Sequence, residues 1–196
     1  MKLDIHDPFA RQQLAMNLFD QARARVERGS QPGAPFSHYT GMLSLQAAAR
    51  YCVAAEDETM LQHVQREFAP FLRGERTGFW SSFPTYFCGG NGAAYLHFLG
   101  RLPEAAGALR LRGTELMEKA PRSPEGIYRY KWRDAPDIIW IDAAFAVSPF
   151  LVFAGRALDE PSWMEDAVHQ TIAMFDILRN PQNGLLHQSR SFVGPG

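Results

Sequence analysis

Pairs of helical segments recur along this chain, and their repetition constrains the fold more than any other feature. The three pairs span about residues 38–73, 91–119 and 141–179. Each pair is followed by a turn that contains one glycine, at Gly78, Gly126 and Gly184, so the unit repeats about every fifty residues. Repetition at this spacing is typical of stacked helical hairpins. The sequence therefore predicts an all-α fold.

The two helices of a pair differ in polarity. The first is apolar on nearly every face and rich in small residues, as in the Gly-Ala-Ala-Tyr-Leu run at residues 92–96. The second has one apolar stripe, which in the third pair consists of Met164, Val168, Phe175 and Leu178. A helix that is apolar all round must be surrounded by protein, whereas an amphipathic helix borders solvent. We therefore expect an inner and an outer layer, arranged as an α/α toroid if the ring closes and as a solenoid if it stays open.

Another helix is expected before the first pair, over residues 7–28. Its buried side would consist of Phe9, Leu14, Leu18 and Val26. The whole chain, residues 1–196, is predicted to form a single domain, because its length suits one core.

Three residues mark the starts of helices. Asp57 is placed to cap the helix that follows it. Pro103 and Pro161 are placed in first helical turns, where a missing N–H has no intrahelical partner to lose.

Composition excludes several functional classes. The 20 basic and 21 acidic residues give a formal net charge of -1, so no basic surface for nucleic acid is expected. The longest apolar run, residues 138–154, contains Asp142 and Pro149 and is too short for a membrane span. The first residues are polar and lack the pattern of a secretory signal. These features predict a cytoplasmic protein that binds neither nucleic acid nor membrane.

The residue types that bind metals show no ligand pattern. Cys52 and Cys88 are too few for a disulfide framework, and the six histidines form no HExxH or paired-ligand spacing. No metal site is therefore expected.

Asp142 is the most unusual residue because it begins an almost wholly apolar inner helix. A carboxylate in apolar surroundings is costly to ionise unless it is paired or solvated. Two interpretations stay open. Asp142 either caps the helix through backbone N–H groups, or it is a functional carboxyl group that faces the hollow of the ring.

Other polar and aromatic residues also have a structural and a functional interpretation. Trp140 is either a core residue or a wall on which a sugar ring stacks. Asn91 is either a helix cap or a hydrogen-bonding amide inside the ring. Lys131 and Trp132 are either surface packing or the lip of a carbohydrate cleft, with Lys131 available to a carboxylate. His187 follows the third turn, where a solvated loop histidine is the usual case.

The residues around Asp142 resemble a motif of a known enzyme family. The sequence WIDAAFAVSPFL, which begins at Trp140, resembles the central motif of the unsaturated glucuronyl and rhamnogalacturonyl hydrolases, glycoside hydrolase families 88 and 105. The sequence DILRNPQNGLLH, from Asp176 to His187, resembles the next turn of that family and its histidine. The similarity covers most of residues 38–192.

This resemblance implies an (α/α)6 barrel and an activity. The enzyme would remove a 4,5-unsaturated uronic acid from the non-reducing end of oligosaccharides made by a polysaccharide lyase. On this analogy Asp142 is the catalytic aspartate, acting first as acid and then as base, and is expected to be buried so that it keeps its proton until substrate arrives. Trp140 and His187 match positions that line the sugar site. No metal or organic cofactor is implied.

Two features separate this chain from the family pattern. Members commonly place a second aspartate at the start of the second inner helix, where this chain has Asn91. Six hairpins need about twice this length. The chain is therefore expected to be the N-terminal half of a barrel, whose open edge exposes apolar helix faces and promotes self-association.

Alternative functions belong to other classes. The chain could be a non-catalytic helical-repeat protein that binds a protein or a sugar, or an inactive barrel fragment. A sugar epimerase on the same toroid would need two histidines facing the ring, and the sequence offers no clear pair.

Overall fold

The computed structural model describes residues 6–25, 34–78, 83–129 and 138–190. The described α-helices are α1 (Pro8–Ala24), α2 (Tyr39–Ala54), α3 (Glu58–Leu72), α4 (Gly90–Phe98), α5 (Ala106–Lys119), α6 (Asp142–Leu158) and α7 (Pro161–Leu178). Short 3-10 helices, Pro84–Cys88 and Pro103–Ala105, precede α4 and α5. The strands β1 (Ile139–Trp140) and β2 (Ser189–Arg190) form one antiparallel ladder. The all-α fold class is therefore confirmed.

The helices lie in two layers. In the inner layer, α4 packs against α2 on one side and against α6 on the other. In the outer layer, α3 packs on α2, α7 packs on α6, and α5 packs on α6 and on the 3-10 helix before α4. Most residues of α4 are buried, as expected for a helix that is apolar all round. This order of hairpins is a partial α/α toroid, with α1 packed on α2 before the first hairpin.

The predicted helix starts are confirmed. The side chain of Asp57 caps α3 by accepting a 3.0 Å hydrogen bond from the backbone N–H of Met60. Pro161 is the first residue of α7, and Pro103 is the first residue of the 3-10 turn that leads into α5.

Glycine allows α4 to approach its neighbours closely. A Cβ atom at Gly92 would lie 2.8 Å from the Phe68 ring and 3.1 Å from the Cα of Gln46. Gly89, which precedes α4, has a φ of +89°, a conformation that L side chains rarely adopt. Gly89 therefore serves turn geometry and Gly92 serves close packing.

Two of the three repeated turns share a conformation. Gly126 and Gly184 have φ angles of 82° and 74°, and each of their turns closes one antiparallel bridge. Gly78 is instead required by close packing, because a Cβ there would lie 2.8 Å from the Cβ of Tyr86.

The expected burial of the α1 stripe is wrong. Phe9 is 72% exposed and Leu18 is 55% exposed, whereas Phe19 is buried and its ring centroid lies 5.3 Å from that of Phe36. The helix ends at Ala24, and Val26 lies outside the described residues. Helical periodicity identifies a stripe but does not show which element covers it.

Helix α7 carries two apolar stripes, and only one of them packs inward. Leu178 is buried as expected, with Trp163, Ala167 and Met174. Val168, Ile172 and Phe175 are more than half exposed, so the burial predicted for Val168 and Phe175 is wrong. These three residues, called the α7 edge below, are left exposed by the described part of the chain. Among the described residues, no helix combines the length and apolarity that crossing a membrane requires.

Candidate functional site

The start of α6 is fixed by the ladder that precedes it. Trp140 pairs with Ser189 across the two strands, and the Ile141 N–H donates a 2.9 Å hydrogen bond to the carbonyl oxygen of Gln188. Asp142 follows directly as the first residue of α6. The backbone position of the candidate catalytic residue therefore depends on a strand from the C-terminal side of α7.

The Asp142 side chain is exposed. The residue that caps α6 is Ile141, and no side chain makes a capping hydrogen bond there. Asp142 therefore does not act as the cap. The prediction that Asp142 is buried is wrong, because it lies on the first turn of α6, where the described elements leave its side chain open to solvent.

A buried phenol lies near Asp142. Tyr86 belongs to the 3-10 helix before α4 and is 9% exposed. Burial, followed by the negative charge of Asp142 and a smaller effect of Tyr39, raises the pKa of Tyr86 to about 12. The Tyr86 hydroxyl therefore keeps its proton at neutral pH and can donate a hydrogen bond.

Asn91 links the three inner helices. Its Nδ2 atom donates a 2.9 Å hydrogen bond to the carbonyl oxygen of Phe145 on α6 and lies 3.4 Å from Oε1 of Gln46 on α2. In a regular helix the Phe145 carbonyl would accept from residue 149, but Pro149 has no N–H. Asn91 supplies the missing donor. Within the described part of the chain, the Asn91 Oδ1 atom is buried and accepts no hydrogen bond.

Trp140 belongs to β1 and His187 lies two residues before β2, and both are close in sequence to the Ile141–Gln188 hydrogen bond at the start of α6. Trp140 is half-buried and lies two residues before Asp142. The His187 side chain is exposed, and its backbone N–H donates a 2.8 Å hydrogen bond to the Leu178 carbonyl oxygen. Asp142 and His187 each lie one residue beyond the Ile141–Gln188 hydrogen bond. The ladder therefore brings their backbones to the same end of the fold.

Two candidate site residues, Lys131 and Trp132, lie outside the described residues. Their proposed place at a carbohydrate lip stays a prediction. No group of three or more His, Cys, Asp or Glu side chains is placed to hold a metal ion in the described ranges.

The sequence patterns did not identify Tyr86, Tyr39 or Gln46 as candidate site residues. Gln46 carried a usable signal, because it is a polar residue in an inner helix composed mainly of small and apolar residues. Tyr86 lies just before α4 and had no periodic pattern to mark it. Tyr39 is 46% exposed, and its ring centroid lies 4.5 Å from that of His38, so it contributes an accessible aromatic surface at the start of α2.

A separate cavity of about 570 Å³ lies between α1 and the start of α2. His38, Phe36 and Leu18 are among its lining residues, and neither Asp142 nor Asn91 is. This cavity is therefore distinct from the cluster at the starts of α4 and α6.

The comparisons with known proteins agree with this architecture. The family model for Glycosyl Hydrolase Family 88 matches residues 15–195. A solved structure of a possible GH105 family member from Salmonella enterica serovar Paratyphi A has a TM-score of 0.75 and 17% identity, over 99% of this chain and 55% of that chain. A possible GH105 member from Klebsiella pneumoniae has a TM-score of 0.72 and 19% identity, over 99% of this chain and 57% of that chain.

A family 105 glycoside hydrolase from C. acetobutylicum has a TM-score of 0.64 and 18% identity, over 88% of this chain and 48% of that chain. No curated protein matches the chain. The chain spans about half the length of these solved structures. Their likeness shows a shared fold, and the family match includes the candidate residues from Asn91 to His187. By this match and this fold, the chain belongs to glycosyl hydrolase family 88.

Proposed function

We propose that this chain carries the catalytic aspartate of a glycoside hydrolase that acts on unsaturated uronides. The substrate is an oligosaccharide, made by a polysaccharide lyase, with a 4,5-unsaturated uronic acid at its non-reducing end. The observation that carries the proposal is the position of Asp142. Its exposed carboxyl group begins an inner helix of a family 88 chain, near the buried Tyr86 phenol.

The proposed reaction is hydration of the double bond. Asp142 donates its proton to C4, and the positive charge develops at C5 and the ring oxygen of the enol ether. Water then attacks C5 while the Asp142 carboxylate takes a proton from that water. The resulting hemiketal opens, and the hemiacetal left at C1 expels the rest of the sugar chain. One carboxyl group therefore serves as acid and as base, unlike the pair of carboxylates used in ordinary glycoside hydrolysis.

Other side chains would bind the sugar. The half-buried Trp140 offers an aromatic face, and the Asn91 amide is the proposed hydrogen-bonding partner of a sugar hydroxyl. His187 is exposed and available as a hydrogen-bonding group. Lys131 and Trp132 complete the proposed set, with the Lys131 ammonium group available to pair with the uronate carboxylate.

The exposure of Asp142 sets a condition on this mechanism. Removing water from around a carboxyl group favours its uncharged form. Asp142 can act as an acid only when the bound sugar and additional protein exclude water from it.

Isotope labelling tests the proposed function. The purified chain is incubated in D2O with lyase-generated oligosaccharides, while loss of the absorbance of the double bond is followed. We expect absorbance to fall and the released product to carry one deuterium at C4. Release of the sugar with the double bond intact would contradict hydration, and no turnover at any protein concentration would contradict the activity.

A second candidate function is a non-catalytic helical-repeat protein that binds a sugar or a protein. The exposure of Asp142 favours this alternative, because an uncovered carboxylate needs no catalytic role. Binding of unsaturated oligosaccharides without turnover would support it.

We also propose that the chain self-associates. The α7 edge exposes Val168, Ile172 and Phe175, and α1 at the opposite end of the helix row exposes Leu18. Two copies that each place the α7 edge against the partner's α1 would assemble six hairpins into one ring.

A cytoplasmic location stays a prediction.

Light scattering tests this association. We expect a dimer, and we expect Val168→Glu to shift it to a monomer. Leu111→Glu is the matched control, because Leu111 is 61% exposed on a different helix, α5. A wild-type monomer at high concentration, or equal disruption by both variants, would contradict the proposal.

A further inference from the structure

The second repeated turn is held firmly on α7. The Gln170 Oε1 atom accepts a 2.9 Å hydrogen bond from the Tyr128 N–H, and its Nε2 atom donates to the Gly126 carbonyl oxygen at 2.9 Å. His169 Nε2 lies 3.0 Å from the carbonyl oxygen of Glu125. This turn is therefore a fixed point on the third hairpin.

Glu125 extends from that fixed point to β2. Its two carboxylate oxygens accept hydrogen bonds from the two terminal nitrogens of Arg190, at 2.5 and 3.0 Å. This is the bidentate geometry in which arginine pairs best with a carboxylate. Hydrogen bonds from Arg190 and then from Ser123 lower the pKa of Glu125 to about 2, so the carboxylate is ionised at working pH.

Arg190 lies opposite Ile139 in the ladder that leads to Asp142. At the other end of the same segment, the His187 N–H is bonded to the Leu178 carbonyl oxygen. The segment 187–190 is thus anchored at both ends, and between the anchors it accepts the Ile141 N–H. Within the described part of the chain, β2 is the strand that pairs with β1.

We infer that the Glu125–Arg190 ion pair positions Asp142, by holding the strand against which the residues before α6 are paired. This inference rests on the proposed function for its catalytic consequence. Glu125 and Arg190 are positioning residues that act through β2 and Ile141. The pair therefore couples the turn between the second and third hairpins to the candidate catalytic carboxyl group.

Hydrogen exchange of the Ile141 amide tests the inference directly. The side chains of Arg190 and Glu125 are 27% and 40% exposed, so the pair is partly screened by solvent. We expect Glu125→Ala and Arg190→Ala each to raise the exchange rate of Ile141 by about two- to fivefold, the effect of an ion pair near the surface. We expect kcat to fall by a similar factor with KM little changed, and the charge-swapped variant Glu125→Arg/Arg190→Glu to recover part of both losses.

Glu75→Ala is the matched control. Arg73 and Glu75 also form a bidentate pair, with both distances 2.6 Å, but this pair lies at the end of α3. We expect it to leave Ile141 exchange and kcat unchanged. Unchanged Ile141 exchange in Glu125→Ala, or faster exchange without any loss of kcat, would overturn the inference. A wild-type chain without turnover would refute the proposed function, while the exchange rate would still decide whether the ion pair holds the strand.

Discussion

The side-chain amide of Asn91 donates a 2.9 Å hydrogen bond to the Phe145 carbonyl oxygen, the acceptor that Pro149 cannot serve within α6. This contact explains why an amide suits the position. A carboxylate has no proton to donate, so an ionised aspartate at position 91 would face the carbonyl as a second acceptor. Asn91 is therefore a structural donor as well as a proposed sugar-binding residue.

Removing this donor should cost stability in a way that depends on Pro149. We expect Asn91→Ala to lower the free energy of unfolding by about 1–3 kcal/mol, because the Phe145 carbonyl loses its partner. In a Pro149→Ala background the new backbone N–H can bond that carbonyl, so Asn91→Ala should cost about 1 kcal/mol less. Urea denaturation of the two single variants and the double variant measures this difference, and additive effects would contradict the assignment.

Two glycines of α5 should respond oppositely to alanine. A Cβ at Gly113 would clash with the Trp163 ring, whereas a Cβ at Gly107 would meet nothing within 4 Å. We expect Gly113→Ala to destabilise the protein by about 1–3 kcal/mol through overpacking. Gly107→Ala should stabilise it by up to about 1 kcal/mol through helix propensity. Thermal denaturation of the two variants checks the outer-layer contact between α5 and α7, and a tolerated Gly113→Ala would contradict it.

Asp166 anchors the turn that carries Glu125. Its carboxylate accepts hydrogen bonds of 2.8 and 2.9 Å from Arg122 and of 2.7 Å from the Tyr128 hydroxyl. We expect Asp166→Asn to cost about 2–3 kcal/mol, because the half-buried Arg122 guanidinium loses its charged partner. Chemical denaturation measures the loss. Asp176→Asn, at an exposed position of the same helix, should change stability by less than about 0.5 kcal/mol.

The same carboxylate should contribute to acid denaturation. Burial raises the pKa of Asp166, but hydrogen bonds from Arg122 and Tyr128 outweigh it, so its pKa lies below the usual value. A lowered folded-state pKa gives stability that is present above the unfolded pKa of about 3.9 and is lost as pH falls through the folded pKa. Below about pH 4, the wild type should therefore progressively lose its stability advantage over Asp166→Asn. A constant difference between the two proteins across this range would contradict the assignment.

Local chemistry was sufficient to predict the helix starts and the layers. The cap at Asp57 and the first-turn position of Pro161 depend only on neighbouring backbone groups, so the sequence contains the whole signal. The inner position of α4 followed from its apolar surface. Asp142 stood out because it begins an apolar helix, but its catalytic role came from a resemblance, and the roles of Asp142 and Trp140 stay predictions.

Long-range pairing was not predictable in the same way. The ladder between Ile139 and Arg190 has two residues in each strand, which is too short for any alternation to appear. The buried Tyr86 likewise depends on how a 3-10 helix meets α6. The exposure of Val168 and Asp142 was missed because a sequence pattern does not show which neighbouring element covers a surface.

The acid and base role of Asp142 is tested most directly by comparing turnover of unsaturated oligosaccharides by Asp142→Asn and Asp159→Asn. The two aspartates lie at opposite ends of α6, both are exposed, and Asp159 follows the helix in a left-handed conformation that asparagine tolerates well. We predict that Asp142→Asn loses at least about 100-fold in kcat, with its folding unchanged, and that Asp159→Asn keeps wild-type activity. Turnover by Asp142→Asn at the wild-type rate would contradict the account.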